Sequence, residues 1–293
     1  MINPLPQMKR KPRAADAVPY LLLLPALLGI LIFKIYPIFS AVVTSFIRKG
    51  AFSLRTYEIL FRDKTFWNSL FVTLRMNAVM IPLQIVVSLI LALLVNNAVP
   101  GVGVFRSIYY LPVTMAISVA SVTWALMMNV NNGVFNSLLS IIGVPKQGFF
   151  TDAGQALWSI VILATWKGCG YWMMYLLAGL KGVDVSLYES AKLDGAGYFT
   201  TLFRITLPLI RRAMLFVVVA NTSANFLLFA PTKLITEGGP QNSTNVLMYE
   251  VYKSAFKNGN MSRAGAITAV LLGVIILLVI AQFLMMNRGD DDA

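Results

Sequence analysis

Six long apolar stretches constrain the fold of this chain more than any other feature of its sequence. An α-helix rises about 1.5 Å per residue, so about 20 apolar residues cross the roughly 30 Å hydrocarbon core of a membrane. The sequence therefore predicts an all-α, polytopic membrane protein with six transmembrane helices. The predicted spans run approximately from Pro19 to Phe46, Leu70 to Val95, Phe105 to Met128, Ala156 to Leu180, Ala213 to Pro231 and Ala264 to Met286.

The composition supports this class and excludes several others. Hydrophobic residues make up 58% of the chain and charged residues 12%, whereas soluble domains carry about 25% charged residues. The chain has no histidine and a single cysteine, Cys169. This excludes a disulfide framework, a Cys/His zinc site, a Ser-His-Asp triad and a Cys-His dyad within the chain. The net charge of +12 is spread between the spans without a basic aromatic face, which favours membrane topology over nucleic-acid binding.

Charge near the first span sets the predicted orientation. The segment MKRKPR precedes an apolar stretch that is too long for a signal peptide, so this stretch is predicted to be a retained helix. Lysine and arginine are nearly balanced over the remaining loops, but the cluster before the first span usually dominates, which favours a cytoplasmic N-terminus. We expect a cytoplasmic segment at residues 1–18, a six-helix permease domain at 19–287 and a cytoplasmic tail at 288–293.

A polar segment, ESAKLDGAGYFTTLFRITLP at residues 189–208, interrupts the apolar pattern between the fourth and fifth spans. Good helix formers precede Asp194-Gly195, where glycine permits the positive φ that ends a helix, and a second amphipathic run continues to Pro208. The segment is predicted to form a short surface helix, a tight corner and a second helix, on the cytoplasmic side. Two roles remain open on periodicity alone: docking of another protein, and an interfacial helix resting on lipid headgroups.

The spacing within this segment resembles the EAA loop of binding-protein-dependent ABC importer permeases. Glu189-Ser190-Ala191, Gly195 and then Ile205-x-Leu207-Pro208 carry the resemblance, with departures at Ser190 and Ala213. The resemblance implies a type I ABC importer permease fold and a cytoplasmic coupling loop, residues 181–212, that docks on an ATPase subunit. The implied ATPase-coupling residues are Glu189, Ser190, Ala191, Asp194, Gly195 and Ala196.

The resemblance covers most of the chain and indicates the maltose-type, MalF-like sugar permeases. Its further matches are Leu111-Pro112, Ser118, Trp124, the run NNGVFNSLL with Gly143, Ala178-Gly179-Leu180 and TEGGPQNSTNVLMYEVYKSAF. It implies a location in the bacterial cytoplasmic (inner) membrane and a heterodimer with a second permease subunit. Two ATPase subunits and an extracytoplasmic solute-binding protein would complete the assembly.

The chain is predicted to be a conduit without catalytic residues of its own. It lacks the G-x-x-x-x-G-K-[ST] loop that would hold nucleotide phosphates. ATP and Mg would therefore be bound by the partner ATPase, and we expect no cofactor and no metal in this chain. An ion-coupled secondary transporter is the alternative class. Such proteins usually carry an intramembrane carboxylate or histidine, and none lies in the predicted spans.

Two polar clusters inside the spans are candidates for the substrate path, because polar groups within a membrane tend to face a cavity or a partner. The fourth span contains ATWKGCGYW, whose aromatic rings could stack on sugars, and the fifth contains ANTSANF, whose two asparagines lie four residues apart on one face. Ordinary close helix packing is the competing explanation. The predicted path residues, most of them nominated by the resemblance, are Ala164, Trp166, Lys167, Gly168, Tyr171, Asn221, Ala224, Asn225 and Leu228.

The charge of Lys167 bears on what is carried. The ionisable residues placed within spans, Lys34, Arg75 and Lys167, are all positive. Lys34 can snorkel, and Arg75 lies close enough to an external end to snorkel or to pair with the partner subunit. Lys167 lies near the middle of its span. We hypothesise an electropositive path for an acidic, uronate-type saccharide, or a sugar or glycerol phosphate. The alternative is a neutral sugar, with the charge of Lys167 balanced by the second permease subunit.

Overall fold

The computed structural model describes residues 18–48, 50–96 and 100–287. The predicted N-terminal segment, apart from Val18, and the predicted tail 288–293 lie outside the described residues. The predicted helical class is confirmed, since two-residue strands form the only sheet in the part of the chain described. The helices are α1 (Val18–Ile30), α2 (Tyr36–Ser45), α3 (Arg55–Arg62), α4 (Lys64–Asn96), α5 (Val102–Thr114), α6 (Ile117–Met127), α7 (Val134–Ile141), α8 (Ala156–Lys181), α9 (Val185–Leu193), α10 (Tyr198–Thr201), α11 (Leu207–Leu209), α12 (Arg211–Phe226), α13 (Leu247–Tyr252) and α14 (Met261–Asn287).

Proline residues explain two places where a helix changes its hydrogen-bond register. A π-helical turn, Leu31–Ile35, joins α1 to α2 just before Pro37, and a second, Leu202–Thr206, joins α10 to α11 just before Pro208. Proline has no N–H for the usual bond to the carbonyl four residues earlier. In both places the preceding residue instead bonds five residues back, which keeps the chain helical through the proline.

Four helices of the described chain are long and apolar enough to cross a membrane. The bent pair α5 and α6 makes a fifth if it counts as one span. The predicted fifth span, Ala213 to Pro231, is shorter than expected: α12 has 16 residues, about 24 Å of helix, and ends at Phe226. A kink at Ile210 and a break after Phe226, with Pro231 just beyond, limit its length. The four long helices are Leu21–Ser45, Lys64–Asn96, Ala156–Lys181 and Met261–Met285.

The predicted third span, Phe105 to Met128, is broken in the middle. Helix α5 ends at Thr114, two residues after Pro112, and α6 starts at Ile117 with its axis turned by 97°. The residues between the helices are extended, so the last carbonyl groups of α5 have no intrahelical N–H partner. The break thus leaves polar backbone within an apolar region, where it is tolerated only against protein or a cavity.

Helix α8 is the centre of the packing. Helix α4 packs most extensively on α8, and α5, α6 and α12 also contact it. Gly170 allows the closest approach: a Cβ at this position would overlap the Tyr109 carbonyl oxygen of α5. The helices around α8 therefore enclose the middle of its length, which contains the predicted path residues.

One end of the molecule is held together by an ion cluster around Arg263, at the start of α14. The guanidinium contacts Asp63, between α3 and α4, at 2.6 Å and Glu250, on α13, at 3.0 Å. Lys253 Nζ lies 2.9 Å from Glu250, and Asn245 donates to the same carboxylate at 3.1 Å. The cluster joins segments up to 200 residues apart in sequence. It lies at the start of α4, whereas the end of α4 contacts the polar segment at residues 181–212 through the hydrogen bond from Lys181 to Asn96.

The carboxylates of this ion cluster are stabilised in their charged form. Burial raises the pKa of Glu250, but hydrogen bonds from Lys253, Asn245 and Arg263 and the charge of Lys253 outweigh burial, so the pKa lies below its ordinary value. Burial likewise raises the pKa of Asp63, and hydrogen bonds from the Thr65 backbone and from Arg263 reverse the effect. Both groups therefore strengthen the fold while they are ionised.

Candidate functional site

A cavity of about 490 Å³ lies beside the middle of α8, bounded by α4, α12 and the broken third span. Its volume is within the range of small-molecule sites. Apolar side chains, one lysine and two amides surround it. The lining residues are Gln84, Val113, Ile117, Ala164, Lys167, Gly168, Tyr171, Trp172, Ala220, Ala224, Asn225 and Leu228.

Seven of the nine predicted path residues line this one cavity. They come from α8 at helical spacing and from α12 and the residues after it, which face α8 across the cavity. Their role in substrate passage stays a prediction, but the structure brings them together. The seven are Ala164, Lys167, Gly168, Tyr171, Ala224, Asn225 and Leu228.

The other two predicted path residues lie outside the lining. Trp166 is on a different face of α8 and packs against Trp124 of α6, with ring centroids 5.4 Å apart. Asn221 is fully buried behind the cavity wall. Trp166 is still 37% exposed, and its interpretation as a sugar platform stays a prediction.

Gln84, which the sequence analysis did not single out, organises the amide side of the cavity. Its Oε1 accepts hydrogen bonds from Asn221 Nδ2 at 2.8 Å and from Asn225 Nδ2 at 2.9 Å. Its Nε2 donates to the Ala164 carbonyl oxygen at 3.1 Å. Asn225 also donates to Asn221 Oδ1 at 2.7 Å. Gln84 thus ties α4 to α8 and α12, and a lone glutamine within an apolar span was the signal that could have identified it.

Lys167 is the only charged residue in the cavity lining. The described residues give its ammonium group one hydrogen-bond contact, to the Val113 carbonyl oxygen at 3.4 Å. Val113 lies in the last turn of α5, where the helix dipole is negative and carbonyl groups are left free by the break. A contact of this length is weak, so the ammonium keeps donor capacity for a group in the cavity.

Tyr171 also presents a polar group at the cavity. Its hydroxyl is 3.0 Å from the hydroxyl of Tyr175, one turn along α8. The two rings make an edge contact with centroids 5.1 Å apart. Tyr171 therefore combines an aromatic face with a fixed hydroxyl, a pairing suited to sugars.

The other two positive residues predicted within spans differ from Lys167. Arg75 is exposed and its guanidinium lies 5.0 Å above the ring of Trp158, so a cation–π contact stabilises its positive charge. Lys34 is exposed on the first span. Neither residue lines the cavity.

The cavity lining offers several groups that can bind a polar ligand. In the described ranges, no group of three or more His, Cys, Asp or Glu residues could hold a metal ion. The lining offers an ammonium, amides, a hydroxyl and aromatic rings, which together can bind hydroxyl and carboxylate groups.

The polar segment at residues 181–212 forms the predicted helix, corner and helix. Helix α9 ends in a Schellman motif: Ala196 N–H bonds to the Ala191 carbonyl, Gly195 N–H bonds to the Lys192 carbonyl, and Gly195 has φ +77°. The chain turns there and continues into α10 and α11. Pro208 does not stop the second helix at once, since α11 continues to Leu209.

This segment presents charge and apolar surface away from the helical body. Of the predicted coupling residues, Glu189, Ser190, Asp194 and Gly195 are exposed, Ala196 is half-buried and Ala191 is buried. Large apolar side chains beside them are also exposed, with Leu193 at 89% and Phe199 at 71%. Apolar surface of this kind next to carboxylates is typical of a contact with another protein or a membrane surface.

The segment and the cavity are joined by one rigid element. Lys167 and Lys181 lie 14 residues apart on the uninterrupted helix α8, which separates the cavity from the start of the segment by about 20 Å. A displacement of α9–α11 would therefore reach the cavity wall through α8 and α12.

Comparison with known proteins places this geometry among transport proteins. Residues 14–287 match the family model described as "Binding-protein-dependent transport system inner membrane component". The sn-glycerol-3-phosphate transport system permease protein UgpA of Brucella suis is 30% identical over 279 residues, 92% of this chain and 95% of that protein. The trehalose/maltose transport system permease protein MalF of Thermococcus litoralis is 30% identical over 280 residues, 93% of this chain and 94% of that protein.

A solved structure shares the fold. The crystal structure of a bacterial alginate ABC transporter, in complex with an alginate pentasaccharide-bound periplasmic protein, contains a chain that superimposes with a TM-score of 0.84. The alignment covers 94% of this chain and 95% of that chain at 23% sequence identity. At this sequence identity, the superposition establishes a common fold.

Proposed function

The chain belongs to the binding-protein-dependent transport system inner membrane component family, and on this premise we propose that it is one of two different permease subunits of an ATP-driven importer for an acidic, uronate-type oligosaccharide. A solute-binding protein would deliver the saccharide to the outer end. The saccharide would then pass the cavity beside α8. The N-terminus and the α9–α11 segment would lie in the cytoplasm.

The observation that most supports an acidic cargo is the single cation in the cavity lining. Lys167 has a single weak contact to a backbone carbonyl, and no carboxylate occurs in the spans of the described chain. An ammonium in a region of low dielectric constant favours an anion strongly. The amides of Gln84 and Asn225 and the hydroxyl of Tyr171 would bind the sugar hydroxyl groups.

The names of the relatives support a saccharide or an anion as the class of substrate, but they do not select an acidic oligosaccharide. The names of similar permeases cover trehalose and maltose in one case and sn-glycerol 3-phosphate in another. A chain of the same fold belongs to an alginate importer, and alginate is an acidic polysaccharide. These substrates are those of the relatives, and the charge of Lys167 is our reason for selecting the acidic class.

The coupling step is proposed from the exposed α9–α11 segment. An ATPase pair that closes on ATP would bind the carboxylates and apolar side chains of this segment, with Glu189 and Asp194 at the contact. The movement would turn α8 and α12 and open the cavity toward the docked binding protein. Hydrolysis in the ATPase would then return the cavity to the cytoplasmic side, which is alternating access.

Replacement of Lys167 by methionine tests the cargo class. The change keeps the apolar length of the side chain and removes the charge, so uptake of a tri-uronate by proteoliposomes should fall at least about tenfold, the loss expected for one charged hydrogen bond. The matched control is Lys34→Met, which removes an exposed cation of another span. Unchanged tri-uronate uptake by the Lys167→Met transporter would contradict the acidic cargo.

A second candidate cargo is sn-glycerol 3-phosphate, which the names of the UgpA relatives favour. Its phosphate would also bind the ammonium of Lys167, but its three-carbon body would leave most of the cavity of about 490 Å³ empty. Competition of labelled tri-uronate uptake by excess unlabelled glycerol 3-phosphate separates the two cargoes. Full competition would favour the phosphate.

A further inference from the structure

A second cavity, of about 230 Å³, lies at the end of the molecule that holds the ion cluster of Arg263, far from the path residues. We call it the outer cavity. Its floor includes the buried residues Thr56 and Leu60, and its rim includes the exposed residues Ile59 and Asn260. The full lining is Arg48, Thr56, Ile59, Leu60, Asn260, Ser262 and Arg263.

Two buried donor groups in the outer cavity have no partner among the described residues. The Thr56 side chain is only 8% exposed, and its Oγ1 makes no hydrogen bond. The Arg48 Nη1 is likewise buried without a partner. Buried polar groups in folded proteins are almost always hydrogen-bonded, because an unsatisfied one costs about 1–3 kcal/mol. Two such groups lining one small space can donate hydrogen bonds to an acceptor that enters it.

The charge around the outer cavity is positive. The carboxylates of Asp63 and Glu250 are both bound to Arg263, and Glu250 also pairs with Lys253, so these four residues sum to zero. Glu58, on another face of α3, pairs with Arg62 at 2.9 Å and does not line the cavity. The guanidinium of Arg48 thus adds one positive charge that the neighbouring residues do not balance.

The backbone around the outer cavity favours an anion as well. Thr56 lies in the first turn of α3, and Asn260 directly precedes α14, where its Oδ1 accepts a hydrogen bond from Arg263 N at 3.0 Å. The N-terminal ends of two helices, of eight and 27 residues, therefore point their positive dipole ends at the same space.

The size of the outer cavity selects the kind of anion. At about 230 Å³ it is smaller than a typical small-molecule site and far smaller than an oligosaccharide needs. A carboxylate at the end of a protein side chain fits this space and matches a guanidinium and a hydroxyl as donors. The rim is exposed at the molecular end that, in the proposed importer, faces the solute-binding protein.

We propose that the outer cavity receives an acidic side chain of the solute-binding protein, whose carboxylate accepts hydrogen bonds from Arg48 and Thr56 when the two proteins dock. The proposal rests on the proposed function, since it needs a binding protein at this end. It adds a docking contact that is separate from the path residues and from the ATPase-coupling residues.

The test uses the complete transporter in lipid nanodiscs and the solute-binding protein that stimulates its ATPase activity. The measured quantity is the concentration of binding protein that gives half-maximal stimulation. Arg48→Met should raise this concentration about tenfold or more, because one charge-assisted contact is lost, and Thr56→Val should raise it about threefold. Arg48→Lys should give a half-maximal concentration between those of Arg48→Met and the unmodified transporter, because lysine keeps the charge but lacks the planar guanidinium with its paired donors.

The matched control is Arg62→Met, which removes a cation from α3, the helix that carries Thr56, but outside the outer cavity; it should shift half-saturation by less than twofold. Maximal stimulation should stay unchanged in all variants. Wild-type half-saturation in both Arg48→Met and Thr56→Val would overturn the proposal. If Arg48→Met does not assemble, Thr56→Val, which keeps size and shape, decides alone.

The test also separates this inference from the proposed function. If the unmodified transporter shows no stimulation by any solute-binding protein, the proposed function fails. If stimulation is normal and the outer-cavity variants dock like the unmodified transporter, only the outer-cavity proposal fails. A charge reversal provides the positive identification: Arg48→Glu should lose docking, and one acidic-to-arginine change in the binding protein should restore it.

Discussion

The amide of Gln84 joins three helices at one point. It accepts from both asparagines of α12 and donates to a carbonyl group of α8. Each of these groups is buried, so the network holds the cavity wall only while every member is satisfied. The same network fixes the position of Asn225, the amide that faces the cavity.

Replacement of Gln84 by leucine should destabilise the chain. The change leaves the Asn221 amide without its acceptor and weakens the bonding of Asn225, and a buried unsatisfied donor costs about 1–3 kcal/mol. The free energy of unfolding in detergent micelles measures the loss. Ser88→Ala is the control one turn away on α4, since Ser88 only donates to the Cys169 carbonyl at 2.9 Å. A Gln84→Leu loss no larger than that of Ser88→Ala would contradict the role of the network.

At the scale of elements, the corner between α9 and α10 depends on one backbone conformation. Gly195 has φ +77°, and the hydrogen bonds of the Schellman motif fix the direction in which the chain leaves α9. A residue with a Cβ pays about 1–2 kcal/mol in this conformation. The direction of the second helix is therefore sensitive to this position, although a surface corner contributes little to global stability.

Gly195→Val should reduce coupling more than it reduces assembly. A strain of about 1–2 kcal/mol at the corner corresponds to a loss of about 5–30-fold in the population of the docked geometry. ATPase activity stimulated by the binding protein measures coupling, and recovery of the purified complex measures assembly. The control is Gly197→Ala, at φ −72°, where an added Cβ meets no atom within 4 Å. Equal stimulation in both variants would count against a coupling role for this corner.

The break between α5 and α6 has a local cause in the sequence, and it affects a contact made by another helix. Pro112 and the extended residues after Thr114 end α5 within an apolar region. The end of α5 supplies the Val113 carbonyl that contacts Lys167. A continuous third span would bond that carbonyl within the helix, and Lys167 would then lose its hydrogen-bond contact to Val113.

At the scale of the whole molecule, the ion cluster of Arg263 joins α14 to α13 and to the residue before α4, and its strength depends on pH. Glu250 and Asp63 have pKa values below their ordinary values. Between the folded-state and the ordinary pKa, they therefore bind fewer protons in the folded chain than in the unfolded chain. Their stabilisation is fully present above the ordinary carboxyl pKa. It is lost as the pH falls from about 4.5 through the lower pKa of the folded state.

Glu250→Gln should lower the free energy of unfolding by about 1.5–3 kcal/mol at pH 7, the value of hydrogen bonds to a charged group. The difference from the unmodified protein should shrink as the pH falls below about 4.5, because the carboxyl is then protonated first in the unfolded chain and, at lower pH, in the folded chain. Thermal unfolding of the purified chain between pH 7 and pH 3.5 measures both effects. Glu58→Gln serves as the control, since the Glu58–Arg62 pair is exposed and worth at most about 1 kcal/mol. A pH-independent effect of Glu250→Gln would contradict this account.

The first span shows that one chain does not complete its own packing. The most apolar window of Leu21–Ser45 has none of its residues buried inside the chain, whereas more than half of the corresponding window of Ala156–Lys181 is buried. The N-terminal part of the first span therefore leaves its surface to lipid or another subunit, whereas its C-terminal part, α2, packs against α14. This supports the proposed heterodimer, in which α8 is central and the first span lies at the edge.

Local sequence determined the helical class, the positions of most spans and the corner at Asp194-Gly195. Each depends on residues close together in the chain: apolar runs of sufficient length, a glycine that permits positive φ, and prolines that lack an N–H. Sequence also identified two polar clusters that meet at one cavity, because polar residues stand out within apolar spans and the family resemblance nominated most of the path residues.

Only the tertiary structure decided what the polar residues contact. Gln84 lies 137 residues from Asn221, and Arg48 meets α14 more than 200 residues away, so no local pattern could pair them. The 97° bend after Thr114 and the shortness of α12 also depend on how helices pack around α8. Hydrogen bonds and cavities are properties of surfaces that meet in space, and the physical forces that join them act over distances of a few ångströms rather than along the chain.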